Sequence, residues 1–401
     1  MTDSQVDVRG ILGFDPFAPE FHTDPYAHYR ELRSGGPLQR TPGGLWLSPS
    51  FEMCARILRD PRFGHGDSTL GEDTESRRLP RRVRSFLVLD PPEHTRLRRL
   101  VSRAFTARLI ERLRPRVAAI VDELLGRMHG DVDLISSLAH PLPVIVISEL
   151  LGVPPEDEER FKGWSEALAR GLDPDFLVPA EELTRRDRAR EEFGAYFREL
   201  ADRRRSSPGD DLLSGLVAIE ELSEADLIAT CILLLVAGHE TTVNLIANGT
   251  LALLRSPDQL AWFRDNPDAA TAAVEELLRY DPPVQLSARV ALEDVELAGQ
   301  SIRKGEGVML LLGAANRDPD VFADPERLDL TRWMTEAPRH LAFGQGIHFC
   351  LGAPLARIEG QVALTALVQR GISPAPGDLV YKDNLILRGL AELPVRLAPA
   401  T

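Results

Sequence analysis

The stretch from Ser223 to about Leu254 constrains this chain more than any other, because helical apolar spacing runs through it without a break. Ser223 with Asp226 three residues on is a capping-box signature, and Ser256-Pro257 stops the run. At roughly 1.5 Å per residue such a helix is about 50 Å long, nearly three times the length of the mean helix of about 11–12 residues. It must cross the whole body, so the rest of the chain has to be arranged around it.

Other helical patterns fall at 26–33, 51–58, 93–104, 106–129, 143–151, 156–168, 184–206 and 271–280. Strand patterns are fewer, at 45–47, 284–291, 295–297, 308–312, 385–387 and 395–397. The fold class is therefore mainly α with a minor, partly antiparallel β portion. A doubly wound sheet would need strands alternating regularly with helices. No repeat and no long Pro/Gly/Ser linker divides the chain, which reads as one domain over 1–401 with a substantial core.

Apolar residues at 43% and charged residues at 27% argue against disorder. The net charge of −14 argues against a general nucleic-acid binder. That acidity is uneven. Positions 77–116 hold 13 arginines against Asp90, Glu93 and Glu111, a local charge of +10 that leaves −24 on the remainder. Only Lys162, Lys304 and Lys382 are lysines. Cys54, Cys231 and Cys350 lie far apart, which excludes a Cys-based zinc finger, a thioredoxin-type motif and a CxxCH haem attachment. An odd cysteine count fits a reducing compartment. The N-terminus lacks a basic region followed by an apolar core. The longest strongly apolar run, CILLLVAG, is about eight residues against about 20 for a membrane span. These features predict a cytoplasmic protein without a membrane anchor.

The sharpest chemical signal is Phe343-Gly344-Gln345-Gly346-Ile347-His348-Phe349-Cys350-Leu351-Gly352, followed by the helical APLARIEGQVALTALVQR. Two glycines let the backbone turn tightly against something flat or bulky. Cys350 falls at the start of a helix, where unpaired N–H groups and the positive helix end favour a thiolate. A thiolate held by backbone donors is a suitable axial ligand for haem iron. Cys54 and Cys231 lie in apolar helical faces and read as core. The glycines are not a dinucleotide fingerprint: the sixth position from Gly344 is Phe349, and no strong strand precedes it.

With these residues the chain resembles the cytochrome P450 family of haem-thiolate monooxygenases. The family's Cys-loop pattern, FGxGxHxCxG, is met at every fixed position, and its other signatures occur in order across nearly the whole chain. The resemblance implies haem b, with Cys350 as its metal ligand and Phe343 beside it in the Cys loop. The family's ExxR is Glu276-Leu277-Leu278-Arg279, whose i, i+3 spacing puts both charges on one helix face. Its role in the family is structural: it holds the meander before the Cys loop. That meander looks like Asn316-Arg317-Asp318-Pro319 through Arg332, with either Arg327 or Arg332 completing the charge network.

Inside the long helix lies Ala237-Gly238-His239-Glu240-Thr241-Thr242. A mid-helix glycine costs about 1 kcal/mol relative to alanine, so Gly238 needs a reason; small residues here open space beside a haem face. Thr241 can bond back to a carbonyl and loosen the helix, and Glu240 can relay protons. The resemblance makes Glu240 and Thr241 the catalytic pair that delivers protons for O–O cleavage, with Ala237 against the haem. His239-Glu240 does not open a zinc HExxH motif, because the fifth position is Val243.

His94 and Arg98 stand i, i+4 on one helix face, Arg289 follows the ExxR helix on a strand, and His348 precedes Cys350. Family members use such a set for the haem propionates, and four donors facing two carboxylates suit an apolar cleft. By resemblance the substrate pocket is lined by Phe86, Leu87, Val88, Leu233, Val236, Ala237, Leu286, Ala288 and Leu390, with a mobile lid at 172–179.

The implied reaction inserts one oxygen atom of O2 into a C–H or C=C bond of a hydrophobic small molecule. Electrons come from NAD(P)H through a ferredoxin or flavodoxin and its reductase, since neither is fused to the chain. Arginine-rich, lysine-poor usage looks most like actinomycete enzymes that tailor polyketides, macrolides and other specialised metabolites. The same motifs serve oxidative coupling, desaturation and carrier-protein-tethered substrates. A haem-binding sensor is the alternative of another class, and the Glu240-Thr241 pair argues against it. Arg98, Arg99 and Arg103 fall on or beside the proximal side of the haem. One of them turns inward to a propionate, and others form a docking patch for an acidic electron donor. The arginines within 77–84 fall in the loop through which substrate enters.

Overall fold

The computed structural model describes residues 7–66, 85–169 and 178–398. Its axis is the helix Glu224–Leu254, 31 residues long. The Ser223 hydroxyl caps it, accepting from the Asp226 N–H at 3.1 Å. The helices Pro141–Leu150, Glu158–Ala169, Ala180–Ser206, Ala270–Tyr280 and Ala353–Gln369 all pack on it. Enclosure on this scale is why its apolar residues need no polar face. By length and mean hydropathy the helix is able to cross a membrane, but 78% of its most apolar window is buried inside the protein. Its hydropathy reports a core position.

The expected helices at 26–33, 51–58, 93–104 and 271–280 are Pro25–Ser34, Phe51–Arg59, Glu93–Ala104 and Ala270–Tyr280. The run expected to reach residue 129 ends earlier, as Ala107–Gly126. A π-helical turn, Ile135–Ala139, precedes Pro141–Leu150 and has no counterpart in the apolar spacing. The largest sheet has five strands in the order Gln39–Arg40, Trp46–Ser48, Gly307–Leu311, Leu286–Ala291, Phe63–Gly64. Among the described strands of this sheet, only Trp46–Ser48 and Gly307–Leu311 pair in parallel.

The strand expected at 385–387 is not one. Leu387 makes a single bridge to Val284, and the strand begins later, at Leu390–Glu392. The apolar run reports burial instead: Leu385 and Ile386 pack against the Tyr26–Tyr29 cluster. The arginines at 77–84 and residues 172–177 of the expected lid lie outside the described residues.

Glu276 and Arg279, both fully buried, tie the helix Ala270–Tyr280 to the segment leading to the Cys loop. Arg279 donates onward to the main-chain carbonyls of Asn316 (3.1 Å), Pro325 (2.8 Å) and Arg327 (3.1 Å). Glu276 accepts from the Asp329 N–H at 3.0 Å, the Arg332 Nε at 3.1 Å and the Trp333 indole at 3.1 Å. The choice between Arg327 and Arg332 is thus resolved: Arg332 contributes its guanidinium and Arg327 only its carbonyl. Asn316 passes the order on, its Oδ1 accepting from the Leu341 N–H at 2.7 Å where the Cys loop begins.

Candidate active site

A cavity of about 540 Å³ opens between the central helix, the strand Leu286–Ala291 and the Cys loop. The loop folds back on itself: the Gly344 N–H donates to the Leu341 carbonyl at 2.8 Å, and the Cys350 N–H to the Phe343 carbonyl at 3.0 Å. Gly346 has φ +71°, and a Cβ there would stand 2.2 Å from the Leu58 carbonyl oxygen. Only glycine lets the loop lie this close to the helix Phe51–Arg59. Cys350 then sits just before the helix Ala353–Gln369. Burial pushes its thiol above the ordinary value, while the Gly352 and Ala353 N–H groups and the Arg98 and Arg357 guanidiniums pull the other way. Burial pushes the Cys54 and Cys231 thiols up to about 12; at Cys54 the Ser48 hydroxyl and a Leu311 backbone bond pull only weakly the other way, and at Cys231 burial is the sole cause.

Cations converge on one end of the cavity. Arg98 lines it and donates to the Phe349 carbonyl at 2.6 Å. Arg289 also lines it, donating to Ser287 Oγ at 3.0 Å and the Ala288 carbonyl at 2.7 Å, and burial holds its guanidinium down to about 10. His348 is on the wall; burial, then the neighbouring His65, Arg289 and His94, hold it down to about 2. His94 stands behind the wall, its ring 4.2 Å from that of His348, and neither of its nitrogens has a hydrogen-bond partner among the described residues.

On the central helix, Ala237, Gly238 and Thr241 face the cavity. Thr241 Oγ1 donates to the Ala237 carbonyl at 2.7 Å. An added Cβ on Gly238 would meet nothing nearer than Ile147 Cδ1 at 3.7 Å, so the space beside it is open. Glu240 is not on the wall. It turns to Lys382 Nζ at 2.7 Å and to His239 Nε2 at 3.7 Å.

Phe86, Leu87, Val88, Leu233, Ala237, Leu286 and Ala288 all line the cavity. Val236 and Leu390 do not. Leu233, Ala237 and Thr241 recur every fourth residue on one face, and Val236 points about 100° away from Ala237 into the core. Leu390 belongs to a strand paired with Val380–Tyr381 and is fully buried in the same core. The C-terminal wall is made by Ile386 and Leu387 instead.

A sequence model of the family described as Cytochrome P450 matches residues 264–370. Cytochrome P450 monooxygenase PikC of Streptomyces venezuelae is 43% identical to this chain, over 96% of this chain and 94% of its own. This chain belongs to the cytochrome P450 family. The 6-deoxyerythronolide B hydroxylase of Saccharopolyspora erythraea is 41% identical, over 94% of this P450 and 97% of its own length. A crystal structure of P450BioI in complex with hexadec-9Z-enoic acid ligated acyl carrier protein superposes with a TM-score of 0.87 at 40% identity, covering 94% of this chain and 99% of that one. This P450 is a monooxygenase of a family that works with haem.

The cavity of this P450 fits that group. Its walls are mostly apolar, two guanidiniums face it, and buried His94 and half-buried His348 have ring nitrogens without partners among the described residues. Such a set asks for an apolar body carrying anionic groups.

Three participants were not evident from sequence. His65 lines the cavity with its ring 4.8 Å from His348, and its N–H is held by Asp90 Oδ1 at 2.9 Å. Glu359 lines it from the helix Ala353–Gln369; burial pushes its carboxyl up to about 8, and its Oε2 has no partner among the described residues. A lone acid on that helix's apolar face was the available signal. Lys382, the third, is far from Glu240 in sequence and carries no motif.

Proposed function

We propose that this P450 oxidises a hydrophobic small molecule of the polyketide or macrolide type, and that Cys350 would hold haem b in the cavity through its thiolate. The reading is carried by one observation: Cys350 and Thr241 face the same mostly apolar cavity, whose rim holds Arg98 and Arg289. Haem, when bound, supplies dioxygen activation and the oxidising power. The protein's part is orientation, electrostatics and proton supply. The Gly352 and Ala353 N–H groups direct hydrogen bonds at the Cys350 sulfur and favour its thiolate. Arg98, Arg289 and His348 would hold the propionates, with His94 behind the His348 ring at 4.2 Å. Thr241 Oγ1 donates to Ala237 and keeps its lone pairs for a proton arriving from the Glu240 side.

Phe86, Leu87, Leu233, Leu286, Ile386 and Leu387 offer apolar contact and orient the substrate. The hydroxylase relative named for 6-deoxyerythronolide B supports a macrolactone-like substrate. Free, buried Cys54 and Cys231 suit the cytoplasm. Electrons arrive from NAD(P)H through a ferredoxin or flavodoxin and its reductase. Docking beside the Cys loop is supported by exposed Ile347 and Phe349 and by the exposed Arg99 and Arg103 of the neighbouring helix.

Spectral titration of the ferric holoenzyme tests the substrate class, reading displacement of water as a low- to high-spin shift. A saturable shift with 6-deoxyerythronolide B is expected. A shift only with hexadec-9Z-enoic acid on its carrier protein would replace the macrolactone reading by a tethered substrate, and no shift with either would overturn the assigned class.

A further inference from the structure

The central helix carries three polar residues in register among apolar ones. Glu240, Asn244 and Asn248 recur every fourth residue and so share one face. The C-terminal segment is seated along this stripe. Lys382 Nζ lies 2.7 Å from Glu240 Oε2. Gly389 comes so near that a Cβ there would stand 1.9 Å from Asn244 Oδ1. Asn248 Nδ2 donates to the Arg388 carbonyl at 3.0 Å. The segment is closed into a loop by the Lys382 N–H, which donates to the Gly389 carbonyl at 3.0 Å. Between these ends, Ile386 and Leu387 form part of the cavity wall, and the Gln285 N–H holds the Ile386 carbonyl at 3.0 Å. One loop therefore both walls the cavity and grips the acid.

Glu240 is nine-tenths enclosed, its side chain 12% exposed. Burial alone would raise its carboxyl, but Lys382 first, then His239 and His140, hold it below the ordinary carboxylate value. The histidines are weak partners for a carboxylate at neutral pH. Burial holds His239 down to about 4, and its Nδ1 is shared with Ser165 Oγ at 2.7 Å. His140, its ring 4.8 Å from that of His239, is also lowered by burial, with Glu166 and Lys162 facing it. Among the described groups facing Glu240, Lys382 brings the one ammonium, and it makes the closest contact, at 2.7 Å.

We propose that Lys382 is a positioning residue for proton supply: it keeps Glu240 ionised and ties that carboxylate to the loop that walls the substrate cavity. The proposal rests on reading Glu240 as the acid that works through Thr241. The proton balance is simple. When the ammonium swings away, the buried carboxylate takes one proton from solvent at Oε2. That proton passes to Thr241 Oγ1 as the threonine's own proton enters the cavity, and the carboxylate left behind pairs again with Lys382. Net transfer is one proton from solvent to cavity.

Infrared difference spectra of the holoenzyme at neutral pH test this. Subtracting Lys382→Met/Glu240→Gln from Lys382→Met should leave the C=O stretch of a neutral carboxylic acid. The same subtraction in the wild-type background, and in a Lys382→Arg background that keeps the charge, should leave none. Absence of the band in the Lys382→Met pair overturns the proposal, since Glu240 would then stay ionised without its partner. Peroxide released per NADPH, measured without added substrate using a surrogate ferredoxin and reductase, separates the two readings. If Glu240→Gln leaves that ratio at the wild-type value, the reading of Glu240 itself fails. If Glu240→Gln changes it, the pH profile of the ratio should move upward in Lys382→Met and return in Lys382→Arg. A Lys382→Met profile that superimposes on wild type overturns the clamp.

Discussion

Glu276 and Arg279 meet through both carboxylate oxygens, at 2.8 Å each, and neither side chain reaches solvent. A buried pair of this kind repays its desolvation only because every remaining donor and acceptor is used. Removing one partner leaves an uncompensated charge. Arg279→Met would leave buried Glu276 with Arg332 as its remaining cation and free the carbonyls of Asn316, Pro325 and Arg327. A loss of about 3–5 kcal/mol is expected, read as a lowered urea midpoint. Arg332→Met, whose guanidinium is partly exposed and bonds Glu276 at 3.1–3.3 Å, should cost less. Equal costs for the two variants would contradict this account of the network.

Glu275, one residue before Glu276, gives the pH dependence. Burial works against its ionised form, but Arg357 through two hydrogen bonds, and His340, hold its carboxyl down to about 2. In the unfolded chain it titrates near its ordinary value of about 4.3. The folded value is the lower one, so the stabilisation is complete above about 4.3 and is lost as pH falls toward 2. A shift of this size is worth about 3 kcal/mol. Urea midpoints of wild type should fall more steeply between about pH 5 and 2 than those of Glu275→Gln. Parallel curves would refute the assignment.

Gly344 and Gly346 make a matched comparison in the Cys loop, with φ of +66° and +71°. Both alanine variants bear the left-handed penalty of about 1–2 kcal/mol. Only at Gly346 does the new methyl meet backbone, since nothing lies within 4 Å of the Gly344 position. Gly346→Ala should purify with a several-fold lower haem-to-protein ratio, and Gly344→Ala with a ratio near wild type. The reverse order would show that the approach to Leu58 does not set the loop.

Salt dependence tests the docking face. Arg103 is already paired with Glu221 at 3.5 Å, so Arg99 should contribute more to a passing acidic donor. Stopped-flow reduction by an acidic ferredoxin should slow more in Arg99→Glu than in Arg103→Glu, and both effects should fade at high salt. Rates indifferent to both substitutions and to salt would leave a merely solvated helix face.

What was legible in the sequence was local. The central helix announces itself through its Ser223 cap and unbroken apolar spacing, and the Cys loop through two glycines and a cysteine before a helix. Helical phase is also local, yet Val236 was assigned to the pocket where only its neighbour Ala237 faces it; single residues do not state which face a cavity occupies. Leu390 and residues 385–387 went astray for a related reason, because apolarity marks burial without saying whether a strand or a turn is buried. Lys382 and His65 were not legible at all. Their partners, Glu240 and His348, are brought to them only by the fold.

The central claim is that Cys350 supplies a thiolate to haem, and the carbon monoxide spectrum of the reduced holoenzyme tests it most directly. Wild type should show the strongly red-shifted Soret band of thiolate ligation, and Cys350→His should lose that shift while still binding haem. A histidine-type band in active wild-type protein, or an unchanged spectrum in Cys350→His, would contradict it.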